Sequence, residues 1–208
     1  FQERWIRYKP MLRLKYYESI VVYVDPSWKS GGKNDYKACK MWGRPKRGMK
    51  TASHRELHCI RAFCRQCGVG EMVRWLYDLY ESLPEDCAAI FYMEANFMQD
   101  TILDEFQREG DIRGYQLPIM PDTRKKPDKF ARIEAISPLW ERGLVWYNIR
   151  LKDDADMRTS IDQTLSFEQG SRAHDDSPDA DEGAIYKLQK QVRQDTMPPR
   201  IGMRQAPK

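Results

Sequence analysis

Apolar residues along this chain change period several times, and each change predicts an element. Ser19 to Val24, Ser-Ile-Val-Val-Tyr-Val, is an unbroken β-branched run closed by Asp25 and Pro26, the pattern of a buried strand. After the polar, glycine-containing stretch Lys29-Ser-Gly-Gly-Lys-Asn-Asp35, a second strand is expected around Tyr36 to Trp42. A turn through Gly43-Arg-Pro-Lys-Arg-Gly48 then leads to a third near Leu57 to Arg65. From Gly70 the apolar positions Met72, Val73, Leu76, Leu79 and Tyr80 fall at helical spacing until Pro84 forbids continuation. Cys87-Ala-Ala-Ile-Phe-Tyr-Met-Glu94 returns to a short apolar run, and it too ends on an acid. Ile102, Leu103 and Phe106 mark a helix, Tyr115 to Met120 a strand, and Phe130, Ile133 and Ile136 a helix reaching Pro138. A strand over Gly143 to Asn148 and a helix over Met157 to Phe167 follow, with a last helix from Ala184 to Val192 just after an acidic cluster.

This order predicts an α/β fold in which an antiparallel meander leads into parallel strands, the sheet being flanked by helices. One compact domain is expected over residues 16–192, with 1–15 as a lead-in from a preceding domain and 193–208, rich in Pro, Arg and Met, as a loose tail. The first residue is Phe1, which suggests a piece of something longer.

Composition adds little until its distribution is considered. The chain is 41% hydrophobic with a formal charge of +4, so a core is affordable and no global basic field points to nucleic acid. Basic residues gather at Arg44, Lys46, Arg47 and Lys50, and again at Arg124, Lys125, Lys126, Lys129 and Arg132. Acids gather at Asp175, Asp176, Asp179, Asp181 and Glu182. Taken alone, such runs are solvated loops. Five cysteines, no signal peptide and no apolar stretch able to span a bilayer suggest a reducing, intracellular setting without membrane attachment. Cys64 and Cys67, with His54 and His58 upstream, have some of the residue types of a zinc site. The apolar company of Cys59 and Cys64 favours small buried hydrophobes instead.

The candidate chemistry lies in the acids. Asp25 and Glu94 each close a buried strand, and His174-Asp-Asp-Ser-Pro-Asp179 precedes a helix. Open α/β sheets bind ligands at such ends. Each acid alone has an ordinary reading, as a turn former before Pro-Ser or as a helix N-terminal box. Their recurrence is what points further. Carboxylates brought together repel, a cost tolerated chiefly where a divalent cation with a taste for hard oxygen ligands neutralises them.

In content and order, Val-Tyr-Val-Asp25-Pro-Ser with Asp35-Tyr downstream, Phe-Tyr-Met-Glu94-Ala-Asn, Lys126-Pro-Asp-Lys-Phe-Ala-Arg132-Ile-Glu-Ala-Ile-Ser-Pro138 and His174-Asp-Asp-Ser-Pro-Asp-Ala180 resemble the C-terminal nuclease domain of phage large terminases. The resemblance spans Tyr16 to Val192. It implies a ribonuclease H-like fold and hydrolysis of double-stranded DNA with two Mg²⁺ or Mn²⁺ ions, cutting concatemeric viral genomes during packaging in the cytoplasm of a bacterial host. A portal protein and a small terminase subunit would be partners of the full-length protein. Position by position, Asp25, Glu94 and one of Asp175 and Asp176 are implied as catalytic metal ligands, Asp179 and Asp35 as outer ones, and Lys129 and Arg132 as contacts to backbone phosphates. Asp181 departs from the pattern, which tends to an apolar residue there. The motor half is also missing: Ser30-Gly-Gly-Lys33 lacks the spacing of a phosphate-cradling loop, so no ATP hydrolysis is expected. A resolvase or transposase-type integrase core would share the acids but not the Lys-Pro-Asp-Lys-Phe-Ala-Arg segment. A non-catalytic module that docks a portal is the alternative from another class.

Overall fold

The computed structural model describes residues 1–26, 36–95, 100–171 and 173–196. Its centre is a seven-stranded sheet in the order β1-β7-β4-β3-β2-β5-β6. The strands are β1 (Tyr8–Lys9), β2 (Tyr17–Asp25), β3 (Tyr36–Pro45), β4 (Leu57–Gln66), β5 (Ala89–Glu94), β6 (Ile119–Asp122) and β7 (Val145–Asn148). β2, β3 and β4 form the expected antiparallel meander, while β5 joins β2, β6 joins β5 and β7 joins β4 in parallel. The segment 1–15, expected only as a lead-in, adds β1 parallel to β7 at the sheet edge, and Phe1 packs edge-on against Trp140.

β2 lacks alternation because both of its faces are covered. Val22, Val24, Cys39, Phe63, Phe91 and Met93 face α1 (Val69–Glu81) and α2 (Asp100–Arg113), meeting Met72, Val73, Leu76, Ile102 and Phe106. Val21, Tyr23, Ala38 and Trp42 face the other way, onto α5 (Ala155–Leu165) and α6 (Asp176–Thr196), meeting Met157, Ile161, Ala180, Ala184 and Leu188. Burying each such aliphatic side chain is worth about 1.5–3 kcal/mol, so β2, clad on both sides, is the best-anchored strand.

Three expected boundaries move. The helix read as running to Pro138 is two, α3 (Lys129–Glu134) and α4 (Ser137–Glu141), because proline is tolerated in a first turn and so opens α4 rather than closing α3. β6 lies at Ile119–Asp122, later than Tyr115 to Met120, and thereby ends on an acid. The last helix begins at Asp176, inside the acidic cluster: Pro178 fits its first turn, and Asp176 and Asp179 favour the positive end of the helix dipole. Gly143, at φ +67°, closes α4 and turns the chain into β7, with Leu144 N–H returning to Leu139 C=O at 2.9 Å.

α6 seats closely on the sheet. Gly183 lies against Tyr23, where an added Cβ would stand 2.4 Å from the ring. Part of this contact is polar: Asp181 and Lys40 of β3 form an ion pair at 3.1 Å with side chains 1% and 0% exposed. Trp42 Nε1–H donates to the same carboxylate at 2.9 Å, and Lys40 also reaches Ser160 Oγ. Burial opposes the charge on Lys40, and Asp181 more than offsets it, holding the ammonium pKa above the ordinary lysine value. The residue that departs from the resembled pattern therefore faces a buried lysine.

At the opposite end of the sheet His58 is fully buried, its Nε2 2.9 Å from Glu56 and its Nδ1 3.0 Å from the Tyr17 hydroxyl. A carboxylate only accepts, so Nε2 carries the proton and Nδ1 accepts from Tyr17. Burial holds the His58 pKa below its ordinary value. The unfolded chain then takes up the proton first, so stability present at neutral pH is lost as pH falls below about 6.5. Circular-dichroism melts should show Tm falling between pH 7 and pH 5, and His58→Gln should weaken that fall.

Candidate active site

Strand register explains how two distant acids become neighbours. Val24 of β2 pairs with Met93 of β5, and the next residue of each strand is Asp25 and Glu94. Adjacent strands lie about 4.8 Å apart and side chains alternate. Since Val24 and Met93 face α1 and α2, Asp25 and Glu94 face α6. α6 starts there, so its first turn and the preceding His174-Asp175 complete an acidic rim.

Two lysines occupy this rim. Lys126 Nζ donates to Glu94 Oε2 at 2.7 Å and lies 3.7 Å from Asp179 Oδ1. Lys129 Nζ, from the first turn of α3, donates to Asp175 Oδ1 at 2.7 Å and lies 3.2 Å from Asp179 Oδ2. Burial opposes the Lys129 charge, but Asp179, Asp175 and, most weakly, Asp25 raise its pKa. Burial likewise opposes the Asp179 charge, but Arg132, Lys126 and Lys129 hold its pKa below the usual carboxylate range. Asp25 itself is 6% exposed.

The structure thus brings Glu94, Asp175 and Asp179 around two ammonium groups, with Asp25 in electrostatic reach. Asp176, 7% exposed, lies over β4, near enough for its charge to raise the Cys64 thiol; Cys64 pairs with Ala38, which pairs with Asp25, and Asp176 Oδ2 is 3.9 Å from His174 Nδ1. Asp35 lies outside the described residues. Among the described residues no three His, Cys, Asp or Glu side chains gather closely enough to hold a metal ion as they stand; ammonium groups sit between the carboxylates instead. Lys129 keeps 39% of its side chain exposed. Arg132 has 7% and binds Asp179 at 2.6 Å and Glu182 at 2.6 Å, so its guanidinium faces acids of α6 rather than solvent.

Two participants escaped the sequence reading. Asp122, in register with Glu94 on β6, is a third strand-end acid. It is saturated by Tyr23 O–H at 2.8 Å, Lys187 at 2.6 Å and Arg124 at 3.1 Å. Its signal, Ile-Met-Pro-Asp, was lost by ending that strand at Met120. Lys126 stands in the sequence as a member of a basic run and as the first residue of the Lys126-Pro-Asp-Lys-Phe-Ala-Arg132 segment, but nothing local says that it reaches Glu94, 32 residues away.

No protein-family model and no curated protein sequence matches the chain. Solved structures do. The human cytomegalovirus terminase nuclease domain is 14% identical over 89% of this chain and 94% of that one, with TM-score 0.59. The P22 large terminase nuclease domain is 11% identical over 91% and 90%, with TM-score 0.58. A manganese-soaked form of the cytomegalovirus domain is similar over 89% of this chain and 93% of that one, at 14% identity and TM-score 0.54. The architecture is therefore the ribonuclease H-like mixed sheet. Within that class, it is the fold of viral terminase nuclease domains.

Proposed function

We propose that this domain is a metal-dependent endonuclease that cuts concatemeric double-stranded DNA during viral genome packaging. The observation that carries the reading is the convergence of Glu94, Asp175 and Asp179 on two ammonium groups, beside Asp25, at the carboxyl ends of β2 and β5. Asp25, Glu94 and Asp175 would hold the cations, with Asp176 or Asp179 completing the set. The donors fit: all are hard carboxylate oxygens, and cationic groups already stand between them. The manganese-soaked relative supports a divalent ion, Mg²⁺ or Mn²⁺. A bound pair of such ions lowers the pKa of an attacking water and stabilises the leaving oxygen of a phosphodiester.

The chain's own residues do the rest. β2 and β5 fix the spacing of Asp25 and Glu94 through backbone pairing rather than through mobile loops. Arg132 holds Asp179 and Glu182, and with them the first two turns of α6, in position. Lys129, partly exposed, offers its ammonium to backbone phosphate, a sequence-independent grip. A portal protein and a small terminase subunit are the partners this role calls for in the full-length protein, within an infected bacterial cell.

Incubation with supercoiled plasmid and Mn²⁺ should produce nicked circles, EDTA should abolish them, and added salt should suppress them steeply. Inertness with Mg²⁺, Mn²⁺ and Co²⁺ at high protein concentration would sink the proposal.

A further inference from the structure

We propose that Lys126 couples cation loading to DNA binding: it is the counter-ion of Glu94 without a cation and a phosphate ligand once Glu94 is taken. The inference rests on the nuclease reading above. Its basis is a division of labour along residues 124–132. The two arginines bind Asp122, Asp179 and Glu182, in forks whose side chains are 9% and 7% exposed. Two of the three lysines, Lys126 and Lys129, bind the acids nearest the strand ends and the helix start, Glu94 and Asp175.

These two kinds of cation differ in what they can do. An arginine fork with two or more bonds fixes geometry, whereas a lysine is a compact charge on a flexible stem of four carbons. Lys126 lies on the stretch between β6 and α3, outside any helix or strand, and makes one short contact, to Glu94 Oε2 at 2.7 Å. A divalent ion that takes Glu94 Oε2 competes with the ammonium for that oxygen, and the two like charges repel at such a separation. In this proposal Lys126 gives up Glu94 Oε2 when the cation arrives. It then keeps only its longer 3.7 Å approach to Asp179, beside the acids where a scissile phosphate would lie. The buried arginines stay with Asp122, Asp179 and Glu182, so the strap as a whole keeps its place.

The test is Mn²⁺ titration calorimetry on the intact chain, together with DNA affinity in Ca²⁺ and in EDTA. Lys126→Met should bind Mn²⁺ about tenfold more tightly, since a competing charge-assisted bond is gone. In Ca²⁺ the wild type should show a log-affinity against log-salt slope steeper by about one phosphate than in EDTA, and Lys126→Met should lack this increment. Lys125→Met, which removes an exposed neighbouring charge, controls for the general field and should change neither measurement selectively. If wild type binds Mn²⁺ and Lys126→Met behaves as Lys125→Met does, the coupling role is overturned and the nuclease reading stands. If wild type binds no Mn²⁺, both fall.

Discussion

Asp25→Asn and Glu94→Gln should each slow plasmid nicking on the order of 10³-fold while leaving the melting temperature close to that of wild type. The substitutions keep shape and hydrogen-bonding atoms and remove only the negative charge. If the carboxylates neutralise cations at the reacting phosphate, that charge is what the reaction loses, and a loss of this size corresponds to about 4 kcal/mol. Glu141→Gln, an exposed acid on α4, should cut at the wild-type rate. Gel-based nicking rates at saturating Mn²⁺ decide the matter. Rates within about threefold of wild type for both variants would mean that the two strand-end acids are not the reacting centre.

Asp181→Ala should lower the free energy of unfolding by about 3–5 kcal/mol, the cost of leaving a buried charge uncompensated. The numbers favour a large effect because Lys40 is 0% exposed and the same carboxylate also accepts from Trp42 Nε1. Lys40→Met combined with Asp181→Asn should recover most of the loss: no buried charge remains, and the amide oxygen still accepts from Trp42. Urea denaturation of Lys40→Met, Asp181→Asn and the double variant measures the coupling. Additive losses would show that the two groups do not stabilise one another in the folded protein.

Much of the fold was legible because burial on two sides leaves a strong trace. The runs ending at Asp25 and Glu94 read as covered strands, and they are β2 and β5, side by side. The stretches that misled are those where polar residues do structural work. Pro138 looked like a stop but begins α4, and Asp-Ser-Pro-Asp179 looked like a prelude to a helix but is its first turn. Within the candidate site Asp25 and Glu94 could be picked out, since an acid closing an apolar run is locally conspicuous, whereas Asp122 closes a strand interrupted by Pro121. Their cationic partners could not. Lys126 with Glu94, Lys129 with Asp175 and Lys40 with Asp181 join residues from different elements, and pairing of that kind is set by tertiary approach, which no local period records. The separate paths of Asp175 and Asp176 have the same origin: consecutive residues at a helix start diverge, one to α3 and one over β4.

The order in which the acids occur along the chain has a consequence for truncation. Asp25 and Glu94 lie in the first half of the chain, but the rim closes only with the start of α6, the last element among the described residues. A chain that stops short of residue 175 therefore carries the strand-end acids but no complete acidic centre. The start of α6 is thus the piece without which the acids of the strand ends lack their companions, and truncation before residue 175 should leave Asp25 and Glu94 in the chain but the rim unfinished.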